Sequence, residues 1–468
     1  MAIEHGSALA GGPHRHLVRK KPTREEFIIR GATILTMAPT GRGALEGDIH
    51  LNDGVIAGVG GSINSPSAKI VDAKDMIVAP GLVDTHWHMW TSLMRNMASN
   101  VAGRGYFPLT TAIGNCYEPA DVYLATLLSA AEALNAGITT VHDWCHNIRT
   151  FDHATSAVQA LVDTGVRGRF SYGASRAHAA TQPLAVDGLI RLYDDWGSYA
   201  KAGLLTLGLA WRGVQSVQRA ADGSPHVTPV DPLVHRLDYD AARARQLPIS
   251  LHVNTSAADR GHIAALERLG LLCEGMQLIH CTEISQPEID AIVARDAVVT
   301  LSPYTAMVIG YGVPPLRALV DSGVELGLSV HSTPLCGSAN LLELVKVAQN
   351  LYNASAHSEV GMTAERALRL VTVEAARTLG LADRVGTIEP GKRADLILID
   401  KNKLHMCPLT DLHHTVVHSV NVGDIDTVFV DGCLVKRDGK LTCIDTEALR
   451  AACRDANRSL WERAFPSR

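Results

Sequence analysis

The sequence predicts an α/β chain built on a (β/α)8 TIM barrel, with a small β-sandwich assembled from both chain ends. Three observations carry this. Between residues 81 and 385, short apolar runs alternate with helical stretches about 30–40 residues apart, the pattern of repeated βα units. The runs number eight: 82–88, 138–143, 167–172, 204–211, 247–252, 276–281, 297–302 and 326–331. Eight parallel strands over roughly 250 residues close a barrel. The segments before 81 and after 385 are β-rich instead, and two β-rich ends flanking a barrel are expected to pair with each other.

In chain order, residues 1–25 hold Arg15, Arg19, Lys20 and Lys21 but no apolar core, so a secretory leader is not expected and a mobile tail is. Residues 26–80 form the first part of the sandwich, with a hairpin turn at Asp53-Gly54. Gly58-Val59-Gly60-Gly61 resembles a phosphate loop only loosely; no helix follows, so it reads as a turn. Residues 81–385 form the barrel, with helical stretches such as 121–136 and 341–354. Its first βα connection, residues 89–120, is too long for a plain turn and is expected to act as a substrate lid. Residues 386–440 supply the second part of the sandwich, with turns at Gly432 and Gly439, and 441–468 a terminal helix.

Composition narrows the function classes. The chain has 468 residues, 46% hydrophobic and 19% charged, with a net charge of −5 and no long charge run. A nucleic-acid or membrane partner is therefore not expected. Nine scattered cysteines without a Cys-x-x-Cys pair read as reduced thiols, which suits a cytoplasmic protein. A small-molecule substrate and a homo-oligomeric state are the corresponding expectations. The chain holds neither a His-Glu-x-x-His motif nor a Gly-x-Ser-x-Gly elbow, which argues against zincin and serine-hydrolase chemistry.

Histidines point to the chemistry. His86 and His88 end the first run one residue apart, and positions i and i+2 of a strand share a face. Two imidazoles on one face are half of a zinc-type site. His252, His280 and His331 end the fifth, sixth and eighth runs. Active sites of this fold sit at those strand ends. The expectation is one divalent metal, zinc first and iron, cobalt or manganese as alternatives, held by His86, His88, His252, His280 and His331.

Several motifs carry a family resemblance across nearly the whole chain. They are Ala79-Pro80-Gly81-Leu82-Val83-Asp84-Thr85-His86-Trp87-His88, the histidines of the fifth and sixth strands, and the closing 386–396 with Gly391-Lys392-Arg393-Ala394-Asp395. The chain resembles the amidohydrolase superfamily, and within it the cytosine deaminase, chlorohydrolase and triazine N-dealkylase branch. It is also similar to phenylurea and molinate hydrolases. The resemblance implies a metal-activated water attacking an electrophilic carbon, with His280 and His331 as the catalytic residues. Binuclear relatives carry a bridging lysine on strand four. Here that strand ends Ala210-Trp211-Arg212, so a single metal is implied.

The chain departs from that family at two positions. Strand eight ends in His331 where the family has an aspartate, which removes a negative charge beside the metal. Deaminases of this branch have a glutamate three residues after the strand-five histidine; here it is Thr255. A heterocycle needs an acid to protonate its ring nitrogen, whereas an amide, urea or carbamate is activated at its carbonyl. The leading expectation is therefore hydrolysis of a C–N bond in an amide, urea or carbamate. An aminohydrolase of a nitrogen heterocycle is the alternative, and a catalytically impaired relative a second one. Asp143 is a candidate to orient a ligand histidine or to cap a helix. His142 and His178 are candidate substrate contacts. Trp87, Trp90, Tyr106, Phe107, Trp144 and Tyr304 either line a substrate pocket or pack the core.

Overall fold

The computed structural model describes residues 14–466, except 22, 40–43, 100, 102, 176–177 and 221–223. Five strands precede the barrel: β1 (Phe27–Ile34), β2 (Leu45–Asn52), β3 (Val55–Gly60), β4 (Lys69–Asp72) and β5 (Met76–Pro80). The barrel begins with β6 (Leu82–Trp87), β7 (Ile138–Ile148), β8 (Arg167–Ala174) and β9 (Leu205–Ala210). A hairpin, β10 (Gln215–Arg219) and β11 (Pro225–Pro229), follows. The barrel then continues with β12 (Ile249–Val253), β13 (Gln277–His280), β14 (Val298–Leu301) and β15 (Leu326–Leu328). The last strands are β16 (Leu396–Asp400), β17 (Ile425–Val430), β18 (Cys433–Arg437) and β19 (Lys440–Leu441).

The eight expected runs are the eight barrel strands, parallel and in sequential order from β6 to β15. Every residue of β6 and β7 is buried, because helices cover one face of a parallel sheet and the barrel interior the other. The seam between first and last strands closes at the functional end. Trp87 bridges His331, the His88 amide donates to the His331 carbonyl at 2.7 Å, and the His331 amide donates to the His86 carbonyl at 3.2 Å. The seam residues are thus the candidate ligands themselves.

The two chain ends meet where β16 pairs antiparallel with β5, Leu396 opposite Pro80 through Asp400 opposite Met76. Nine strands form one continuous sheet, ordered β19-β18-β17-β16-β5-β1-β2-β3, with β4 beside β1. Phe27 of β1 and Phe429 of β17 are not on neighbouring strands, yet their rings meet at 5.1 Å. The expected sandwich is therefore one sheet curled over its own apolar core of Ile29, Ile49, Val78, Leu396 and Leu398.

Residues 14–21 and 23–25 differ from the expected free tail. Leu17 is buried, Val18 bridges Ile444, Arg19 pairs with Asp445, and Arg24 pairs with Asp431. Burial of Leu17 and these ion pairs anchor the segment; residues 1–13 lie outside the described part. The C-terminal helix, Thr446–Ala464, is capped by Asp445, which accepts from the Ala448 amide. It packs on the long first connection, where Asn457 donates to the Leu93 carbonyl and Arg463 pairs with Asp121. That connection holds a buried 3-10 helix, Met89–Met94, and the helix Tyr106–Gly114. Among the described residues, no helix is long and apolar enough to cross a membrane.

Candidate metal centre

Four imidazoles converge at the seam. One ring nitrogen each from His86, His88, His252 and His331 lies within 4.8 Å of those of the other three. Nε2 of His252 and Nε2 of His86 are 3.3 Å apart. Zn–N bonds of about 2.0–2.1 Å place tetrahedral ligand nitrogens roughly that far apart. The His88 Nδ1–H donates to the Trp144 carbonyl at 3.0 Å, which leaves its Nε2 lone pair for the cluster. Burial, then the neighbouring imidazoles, push His86 and His88 well below the usual histidine range. The rings are therefore neutral, the protonation state a metal requires. The donor set fits one divalent cation.

Strand geometry explains the convergence. His86 and His88 leave β6 on one face, His252 lies in β12, and His331 follows β15 across the seam. Asp84, fully buried, staples these strands by accepting from the Val330 amide at 2.8 Å and the His86 amide at 3.1 Å. Its burial raises its pKa to about 7. Asn254, His280, Cys281 and His331 all have positive φ, between 47° and 82°. Strained backbone at strand ends is characteristic of functional sites.

His280 stands beside the tight set rather than in it. Its ring lies 5.0 Å from that of His331 and 5.2 Å from that of His252. Neither of its nitrogens has a hydrogen-bond partner among the described residues, and burial lowers its pKa to about 4. It is a neutral imidazole beside the cluster.

A cavity of about 450 Å³ opens over His88, His252, His280 and His331. Phe107, His178 and Thr255 are in its wall. Thr255 turns inward: its amide and hydroxyl both donate to Asp259, at 2.8 and 3.0 Å, and cap a short turn. His178 donates from Nε2 to the Pro183 carbonyl at 2.6 Å.

Other expected contacts fall elsewhere. Trp90 is buried outside the main cavity, against Tyr117 and His146, because the 3-10 helix carrying it is packed under the C-terminal helix. Tyr106 is buried at the start of its helix, and Tyr304 packs on the core; neither is in the cavity wall. His142 lies outside the wall, with Nδ1 donating to the Thr85 carbonyl and Nε2 accepting from Ser171. That full hydrogen-bonding makes it a strut between strands. Asp143 orients no histidine. It is buried beside the Met89 amide, with no side-chain partner among the described residues, and burial raises its pKa to about 7. The ligand-orienting acceptor is a main-chain carbonyl, that of Trp144.

Sequence reasoning left Trp144 open between pocket lining and core, and it missed three contributors. Trp144 and His146 extend β7 beyond its expected end, and the His146 ring meets that of His88 edge-on at 4.2 Å. Tyr311 lies 5.1 Å from His280. All five residues of β10 line the cavity. Only the aromatic-histidine spacing at 144–146 left a signal, since it repeats the i, i+2 pattern of His86 and His88.

Comparison with known proteins agrees with this geometry. The amidohydrolase family model matches residues 77–435. The chain is 26% identical over 452 residues to a 5-methylthioadenosine/S-adenosylhomocysteine deaminase of Desulforamulus reducens, covering 92% of this chain and 98% of that one. It is 26% identical over 461 residues to a 5′-deoxyadenosine deaminase of Methanosarcina acetivorans, covering 94% and 99%. Among solved structures, an adenosine deaminase from Xanthomonas campestris with bound zinc superposes with a TM-score of 0.79 at 21% identity, covering 94% and 99%. Atrazine chlorohydrolase TrzN from Arthrobacter aurescens TC1 with zinc gives 0.79 at 20% identity, covering 92% and 100%. These two share the fold. With a matching family model across most of the chain and a histidine set at the mouth of an eight-stranded barrel, this protein belongs to the amidohydrolase family.

Proposed function

We propose that the protein hydrolyses a C–N bond of a small amide, urea or carbamate-like substrate at the four-histidine centre. His86, His88, His252 and His331 hold the cation. A divalent metal there supplies a Lewis acid that acidifies water and polarises a carbonyl. His280, neutral and adjacent, exchanges a proton with the departing nitrogen. Trp144 and Phe107 position the flat part of the substrate and exclude water from it.

The observation that supports a carbonyl substrate is the absence of an acid from the cavity wall. Among the described residues lining it, none is Asp or Glu. Thr255, where the deaminase branch has glutamate, spends its hydroxyl on Asp259. A ring nitrogen would find no carboxylic acid to protonate it; a carbonyl needs none. The names of the relatives favour the second reading, an aminohydrolase of a nitrogen heterocycle such as an adenine nucleoside.

The deciding experiment is metal analysis of purified protein followed by an amine-release screen over ureas, carbamates, amides and aminoheterocycles. Release of an alkyl- or arylamine from a carbonyl substrate supports the lead reading. Release of ammonia from a heterocycle alone replaces it with the second. Full metal content without release from any class favours a catalytically impaired relative, traced to His331.

A further inference from the structure

The cavity wall carries two guanidiniums, Arg212 and Arg219, and among the described residues no carboxylate. Together with a divalent cation, that lining repels a cationic substrate and favours an anionic one. The two arginines differ in their settings. Arg212 donates to the Ala179 and Gln182 carbonyls at 2.8 and 2.6 Å, and lies 3.4 Å from the buried Asp238. It therefore organises the loop before the helix Val186–Asp194. Arg219 ends the hairpin strand β10, and its guanidinium lies over two aromatic rings, 5.0 Å from Phe107 and 5.0 Å from Tyr311. The Tyr311 ring in turn lies 5.1 Å from His280. One aromatic ring thus separates the Arg219 guanidinium from the histidine cluster.

The donors of a guanidinium lie in its plane as a rigid fork matched to a carboxylate. We propose that the substrate carries a carboxylate about one ring's width from the scissile bond, and that Arg219 binds it. This rests on the hydrolase reading and narrows it to carboxylate-bearing amides or ureas of the N-acyl amino acid type. Phe107 and Tyr311 hold the guanidinium in place, so the hairpin acts as the specificity element of the site.

Calorimetry with benzoate and its neutral isostere benzamide tests this on the metal-loaded protein and on the Arg219→Gln and Arg219→Lys variants. The expected result is benzoate binding at least tenfold tighter than benzamide in the parent. Arg219→Gln should erase that difference by weakening benzoate at least tenfold, and Arg219→Lys should restore part of it. Equal binding of the two probes in the parent overturns the proposal. So does a benzoate preference untouched by Arg219→Gln, which would place the carboxylate on the metal. If Arg219→Gln fails to fold, judged by its melting curve, the Lys variant decides: a preference as large as the parent's, from a charge that lacks the planar fork, overturns the proposal. Turnover of hippurate against N-benzoylglycinamide keeps the two readings apart. Equal cleavage of both overturns the carboxylate alone. A benzoate preference that follows Arg219, without cleavage of any amide or urea, overturns the hydrolase reading alone.

Discussion

Two buried polar clusters occupy opposite ends of the barrel strands, and they are built on opposite rules. At the N-terminal end, Arg167 opens β8 at 1% exposure. It grips Asp395 through two hydrogen bonds of 2.8 and 2.9 Å and Asp431 through a third of 2.9 Å. Arg24 and Arg393 close on Asp431 from the other side. Every charge there is paired, and the cluster ties the barrel to the curled sheet and the N-terminal segment. At the C-terminal end, both nitrogens of His280 and Nδ1 of His86 lack hydrogen-bond partners among the described residues. Buried polar groups are otherwise almost always satisfied. Left-handed backbone occurs at both ends, at Gly137, Gly165, Gln246 and Asp296 before β7, β8, β12 and β14, and at Asn254, His280, Cys281 and His331 at the ends of β12, β13 and β15. One end is arranged for stability; the other leaves groups free for a ligand.

The comparison breaks most sharply at a ligand. His86→Ala should reduce metal content and turnover to background while leaving the melting temperature of the metal-free protein within a few degrees, checked by elemental analysis and calorimetry. Arg167→Met should do the reverse. It should cost about 3–5 kcal/mol of stability in denaturant unfolding, because buried Asp395 loses its arginine and Asp431 loses one of three, with metal content per folded molecule unchanged. The same cluster sets an acid limit. Desolvation pushes Asp431 up, but Arg393, Arg24 and Arg167 together hold it below the ordinary 3.8. A depressed folded value means the stabilisation is present above the unfolded carboxylate pKa and is lost as pH falls through the folded one. Urea midpoints measured from pH 6 down to 3 should fall more steeply in the parent than in Arg167→Met.

At the mouth, restoring the family carboxylate with His331→Asp should raise kcat at least about tenfold, roughly 1.4 kcal/mol of barrier, and tighten the metal. If activity and metal are lost together, histidine is the working group at that position. The smallest effect should come from the cavity wall. Phe107→Ala should raise KM several-fold, about 1 kcal/mol of lost apolar contact, with metal content unaltered; loss of metal would show that the wall and the centre are not separable.

Much of this was legible in the chain. The apolar runs coincide with the barrel strands within a few residues because a parallel strand buried on both faces must be continuously apolar. The strand-end histidines were legible because polar residues closing such runs have one place to go, the mouth. The 4.8 Å set could not be separated from His280, since the backbone turn at φ +82° that sets His280 aside leaves no trace in residue type. Trp90 and Tyr106 were misplaced because an aromatic in a long connection looks the same whether it faces a cavity or a packed helix. The hairpin β10–β11 was missed because Gln215–Arg219 has mixed polar residues and no long apolar alternation.

Periodicity and strand-end chemistry, both local, therefore determined the barrel, the pairing of the β-rich ends and the histidine centre. The tertiary structure alone decided what stands around that centre. It set the Trp144 carbonyl against His88, turned Thr255 onto Asp259, docked residues 14–21 and 23–25, and laid Arg219 over Phe107 and Tyr311. Each of these joins groups distant in sequence or uses main-chain atoms that every residue shares. Such contacts depend on how elements pack, and residue type along the chain does not encode them.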